Sequence, residues 1–243
     1  MSNQEDSRLY HRFSVNHSNL CYVTQNKTVL GFVTEISYGG FSLDLNPKTK
    51  SQLQPSNLIE LHFLDRSIQC EVEERYLKNN KAGYQLKHEQ TIVLTFLKEI
   101  IPWLRAGAAL SYLQKLELDG FEAELPEHLS FEGPIPIEIE WLGVDTQKSP
   151  NFSMTFTQDK VIYQLNKNNG LLETLHNVWP GGESGEMRKT SMLDSTIFRT
   201  GLAILIGMSN YSESSTYKQL VDNLLNLHNR ATQSLPSPIK KAS

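Results

Sequence analysis

Cysteine is scarce in this chain of 243 residues, which has only Cys21 and Cys70. Two thiols make no disulfide framework, and they fit a reducing compartment as small core residues. Long apolar runs are missing as well. The longest, Ile197 to Met208, contains Arg199 and falls short of the roughly 20 apolar residues that cross a bilayer. No charged-then-apolar leader opens the chain, so the expectation is a cytoplasmic protein without a secretory signal or transmembrane segment. Excess positive charge is lacking too. A net charge of −4 argues against DNA or RNA binding across the whole surface. The seven histidines show no metal-ligand spacing with either cysteine, so neither a metal nor a cofactor is expected. The segment before Lys189-Thr190 lacks the phosphate-loop pattern, because Glu186-Met187-Arg188 follows Gly185. It reads as a surface loop leading into a helix capped by Thr190 or Ser191. Glu138 and Glu140 alternate as a solvated strand face does. Glu173 and His176 sit three apart on a predicted helix without a third group; with Asp194 they would need a shared pocket to be catalytic. No catalytic residue is assigned, and an enzyme is not the expectation.

What is present is an ordinary globular composition, 39% hydrophobic and 21% charged, long enough for one large or two small domains. Cys21–Thr24, Thr28–Val33, Gly40–Leu45, Leu58–Phe63, Ser67–Glu73 and Ala82–Leu86 are alternating or β-branched runs. Asn26-Lys27, Asp65-Arg66 and Asn79-Asn80-Lys81 supply turns between them. Short strands this closely spaced predict a small antiparallel barrel. Phe96, Ile100, Leu104 and Ala108 then recur at helical spacing, with Pro102 set to kink or split the segment. Leu110 to Leu118 reads as a further turn or two of helix. Strand signals return over Ile135–Leu142 and Phe152–Leu165, with a hairpin at Asp159-Lys160. Two closing helices are predicted near Met192–Ser209 and Ser214–Arg230, the second with Tyr217, Leu220, Val221, Leu224, Leu225 and His228 on one face. Trp103, Trp141 and Trp179 are expected to staple the core of the second domain. The fold class is therefore mainly β plus α+β. A tail at 1–7 precedes a barrel with connector helix at 8–105, an α+β domain at 106–235 and a disordered tail at 236–243.

The segments that point to a ligand lie at the front. Arg8 and Arg12 stand four apart in Arg8-Leu9-Tyr10-His11-Arg12. Glu35-Ile36-Ser37-Tyr38-Gly39-Gly40 follows between two strands. Arginine forks match phosphates and the O6/N7 edge of guanine, and their planes stack on purines. Ser37 offers a short donor and acceptor, and Gly40 admits close backbone approach. Phe13 either covers a base or anchors the arm. The pattern suggests a guanine nucleotide lying across a β-barrel.

Arg8-x-x-x-Arg12, the spaced Ser37-x-x-Gly40 and the trailing strands Ile68–Glu74 and Gly83–Leu86 together resemble the PilZ domain, over roughly residues 7–100. The resemblance implies a bacterial receptor for cyclic di-GMP, with Arg8, Arg12, Glu35, Ser37 and Gly40 binding the ligand. It also implies that residues 106–235 act as an output module for an unidentified protein partner. Glu35 stands where the family has Asp or Asn. Its carboxylate, one methylene longer, either accepts from guanine N–H groups or pairs with Arg12 and fills the site. The second case describes a degenerate module used for protein contacts alone.

Overall fold

A computed structural model describes residues 10–15, 21–48, 58–87, 90–117, 128–132, 135–144, 150–159, 161–169, 171–178, 186–190, 193–208 and 215–233. Arg8, Trp179, the loop 180–185 and the segments 1–7 and 236–243 lie outside the described residues. The chain divides into two units, Met1–Ala108 with Ile206–Ser209, and Ala109–Leu205 with Asn210–Ser243. No described helix is long and apolar enough to cross a membrane.

Seven strands build the first unit: β1 (Phe13–Ser14), β2 (Cys21–Gln25), β3 (Thr28–Ser37), β4 (Gly40–Leu45), β5 (Leu58–Phe63), β6 (Arg66–Lys78) and β7 (Lys81–Leu86). They pair in the order β1-β3-β2-β5-β6-β7-β4, and β3 also pairs with β4. That last ladder closes β2 through β7 into an antiparallel barrel, as the strand spacing predicts. Alternation sends Val23, Val33, Ile36, Phe41, Leu43, Leu61, Phe63, Cys70 and Val72 inward, none more than 3% exposed. Left-handed backbone at Asn26-Lys27 and Asn79-Asn80 makes two of the hairpin turns, and asparagine tolerates that region. The middle turn is Leu64-Asp65, one residue earlier than expected. Arg66 pairs with Phe63 and so begins β6, because the inward Leu61 and Phe63 set the register.

Three one-residue bulges interrupt the barrel's ladders: Leu30 is left over in β3 opposite β2, and two more break the alternation further on. Thr34 is left over in β3, between the pairs Val33–Leu43 and Glu35–Ser42. Arg75 is left over in β6, between Glu74–Tyr84 and Tyr76–Gly83. One extra residue inverts the parity of every side chain beyond it, so Glu35 and Tyr76 stand on the outer face of the barrel.

Helix α1 (Thr91–Lys98) is followed by α2 (Ile101–Glu117). Pro102 does split the segment: it occupies the first turn of α2, where its missing N–H is not needed. Gln90 ties α1 to β6, its Oε1 accepting from Glu71 N and its Nε2 donating to Glu71 O, both at 2.7 Å. Arg66 ion-pairs with Glu99 and lies 5.4 Å above the Phe96 ring. Trp103 is buried, and its chain segment belongs to the first unit.

The second unit is an antiparallel meander in chain order, β8 (His128–Phe131), β9 (Ile137–Val144), β10 (Pro150–Gln158), β11 (Val161–Asn168), β12 (Leu171–Val178) and β13 (Glu186–Lys189). Helices α3 (Ser195–Gly207) and α4 (Ser215–Gln233) complete it. A Cβ on Gly201 would lie 2.6 Å from Leu165, so α3 rests directly on the sheet. Tyr217, Leu220, Val221 and Leu224 are fully buried, as their spacing predicts, and the Tyr217 hydroxyl donates to Leu205 O at 2.5 Å. Segment 171–178 is a strand in place of the expected helix. Its ladder to β11 runs from Asn168–Leu171 to Tyr163–His176, and tertiary pairing overrides local spacing. Residues 186–189 pair with β12 and are not loop. The cap of α3 is Asp194, whose Oδ1 accepts from Thr196 N at 2.8 Å and Ile197 N at 3.1 Å. Thr190 instead donates to Thr174 O at 2.9 Å.

Truncating the barrel core outweighs losing that cap. Leu61→Ala is expected to lower the free energy of unfolding by about 2–5 kcal/mol. Asp194→Ala is expected to lower it by about 1 kcal/mol, both read from urea titrations. Cys21 and Cys70 are fully buried and free, and burial raises both thiols, Cys70 to about 12. Each stays protonated in the fold but ionises near its ordinary value of 9.0 once unfolded. Their contribution is whole below about pH 9 and is lost as the pH rises toward the folded value. Denaturation midpoints should fall over that window, and a thiol reagent at pH 8 should label neither cysteine before unfolding.

Candidate functional site

The arm that carries Arg12 is positioned by β3. Strand β2 pairs with β3 no further than Phe32, and β1 takes over the same edge at Glu35 and Ile36. Phe13 lies opposite Ile36 and Ser14 opposite Glu35, and Val15 N donates to Thr34 O at 2.9 Å. His11 meets Phe13, on the same arm, edge to face with ring centres 4.9 Å apart. Tyr10 packs on the turn beyond β3, where a Cβ on Gly39 would meet its ring at 2.7 Å. Arg12 is thereby set diagonally across from Glu35 on the outer face, within reach of a long side chain.

Its guanidinium is held at one end. Arg12 Nη1 donates to Glu35 Oε2 at 3.0 Å and to Ser42 Oγ at 2.7 Å. Ser42 Oγ donates to Glu35 Oε2 at 3.2 Å and accepts from the Tyr76 hydroxyl at 3.2 Å. One serine hydroxyl thus gives its single proton and accepts two, its full capacity. Both protons of Nη1 are engaged, and among the described residues Arg12 is bonded through Nη1 alone. The Nε–Nη2 edge is the planar fork that meets a phosphate or a guanine Hoogsteen edge with two parallel bonds.

Ser37 and Gly40 form the turn between β3 and β4. Ser37 is buried; its hydroxyl donates to Gly40 O at 3.1 Å and accepts from Gly39 N at 3.3 Å. Gly40 has φ of +154°, and a Cβ there would meet Tyr84 O at 2.1 Å. Both residues shape the turn that holds Glu35 and Ser42 opposite each other. Arg8, the fifth residue of the expected site, lies outside the described residues.

Ser42 and Tyr76 are the members of the cluster that reading the sequence missed. Ser42 had a signal, since it is the outward polar position of Gly40-Phe41-Ser42-Leu43-Asp44-Leu45. Tyr76 had none, because only the Arg75 bulge turns it outward.

A second polar group lies on β2, β5 and β6. Thr24 Oγ1 and Glu60 Oε2 approach the same ring nitrogen of His62, Nε2, at 2.9 and 3.4 Å. A carboxylate that orients imidazole as a base holds the other nitrogen, so this is not a nucleophile–base arrangement. A bond from Ser67 at 2.7 Å holds the Glu60 carboxyl below the usual range, and Tyr22 stacks on His62 at 4.4 Å. In the second unit, Glu173 and His176 face opposite sides of β12, and Asp194 is occupied as a cap. The three do not converge. Among the described residues no group of three or more His, Cys, Asp and Glu could hold a metal ion. No protein-family model matches the chain, and no curated protein matches it in sequence.

The Arg12 and Glu35 side chains are 24% and 43% exposed, and ion pairs in such settings contribute about 0–1 kcal/mol. Glu35→Gln is therefore expected to shift the unfolding free energy by less than about 1 kcal/mol in chemical denaturation.

Proposed function

We propose that the barrel is a receptor for cyclic di-GMP and that the Arg12 arm is its ligand clamp. The observation that carries this reading is the one-ended grip on Arg12. Glu35 and Ser42 orient the guanidinium through Nη1, and the Nε–Nη2 edge, unengaged among the described residues, is the one that meets a phosphate or guanine. Arg8, four residues earlier, supplies a second fork once the arm closes over the ligand. The charge-assisted bonds so formed must exceed the entropy lost in ordering the arm. Binding then changes the contacts of residues 109–205 and 210–243, or of a protein partner, to the extent that the ligand prefers one arrangement of the arm.

The Arg12–Glu35 pair itself favours a second reading, in which the carboxylate occupies the site and the barrel serves protein contacts alone. Magnitude weighs against it. A pair contributing about 1 kcal/mol reduces affinity less than tenfold, far below what two guanidinium–phosphate contacts supply.

Isothermal titration of the full chain with cyclic di-GMP separates the two. The receptor reading expects saturable binding by the wild type, at least tenfold weaker in Arg12→Ala with the fold unchanged by circular dichroism. It also expects Glu35→Gln to bind no more tightly than the wild type. Binding that emerges only in Glu35→Gln supports the occupied-site reading, and a wild type silent at millimolar ligand sinks the receptor.

A further inference from the structure

Strand β6 is the longest in the barrel, and Arg75 alone interrupts it. The bulge is held in place: Arg75 Nε donates to Gln85 Oε1 at 2.6 Å, and Arg75 Nη1 pairs with Glu73 at 3.0 Å. Had β6 run straight, Tyr76 would face the barrel interior. Instead its ring lies outside, across Gly83 of β7. A Cβ on Gly83 would sit 2.1 to 2.7 Å from three atoms of that ring, so only glycine leaves room for it. The hydroxyl is fixed on Ser42 Oγ, the same oxygen that receives Arg12 Nη1. With backbone beneath it, the residue remains 42% exposed.

Two bulges on different strands therefore deliver their residues to one point. Thr34 turns Glu35 outward and Arg75 turns Tyr76 outward, and Ser42 binds both. Bulges re-aim side chains next to binding sites, and each leaves a residue out of the ladder. A ring laid over a cross-strand glycine supports the sheet, and this one also keeps part of its surface in solvent beside the Arg12 fork. An aromatic plane anchored beside a cationic fork is what a nucleotide requires: a surface for the base and donors for the phosphate.

We infer that Tyr76 is a base-contacting residue of this site, the platform on which one purine of the ligand stacks while Arg12 takes the adjacent phosphate or guanine edge. The inference rests on the nucleotide reading above and adds to it a residue on a different strand. The hydroxyl acts only as the anchor that keeps the ring beside Ser42; the plane makes the contact.

Titration of the full chain with cyclic di-GMP tests it. Tyr76→Phe keeps the plane and should bind within about threefold of the wild type. Tyr76→Ala removes it and should bind roughly tenfold more weakly or worse, with the fold unchanged by circular dichroism. Tyr76→Trp should bind and show indole fluorescence quenched by the ligand to saturation. Wild-type binding that Tyr76→Ala leaves intact overturns the platform and leaves the receptor standing. Equal losses in Tyr76→Phe and Tyr76→Ala overturn it too, since the hydroxyl would then be the contact. No binding by the wild type overturns the receptor, and the platform with it.

Discussion

The first unit depends on one strand meeting three others. β3 pairs with β2 along its first half, with β4 along most of its length and with β1 at its far end. The β3–β4 ladder closes the barrel, and the short β1 ladder docks the arm. Both meet at Glu35, which lies opposite Ser14 on one side and Ser42 on the other. If that junction slipped by one residue, Ile36 would leave the core and Glu35 would enter it. A fully buried isoleucine holds the register, because the alternative buries an unpaired carboxylate.

The cluster on this junction is economical in its hydrogen bonding. Ser42 receives two donors and gives one proton, and Glu35 takes both Nη1 and that proton on a single oxygen. Among the described residues, orientation is set through Nη1 of the arginine alone. On the receptor reading proposed above, this partly exposed monodentate pair is too weak to plug the site.

Much of the first unit was legible from residue pattern alone. Gly40–Leu45 and Leu58–Phe63 are strands to the residue, and the paired asparagines at 79–80 make the turn their type favours. Pro102 marked the helix break, and the apolar stripe on α4 marked its buried face. Helical spacing misled at Glu173 and His176, where a neighbouring strand offered a full ladder. Residue type misled before α3, where Asp194 caps the helix in place of the expected Thr190 or Ser191. Local preferences are worth tenths of a kcal/mol per residue, and tertiary pairing overrides them.

Arg12 and Glu35 could be picked out from residue types and spacing, because charge and donor geometry belong to the side chain wherever the backbone runs. Ser37 and Gly40 could be picked out as well, though their work is to shape a turn. Which way each side chain faces is another matter. Strand alternation is a parity, and one extra residue inverts it; nothing in Val33-Thr34-Glu35 or Glu74-Arg75-Tyr76 announces the insertion. The bulges arise where β3 and β6 fit their neighbours around a closed barrel, a condition set by residues far apart in the chain. Charge and shape were therefore local properties, while the gathering of Arg12, Glu35, Ser42 and Tyr76 around one hydroxyl was decided by closure.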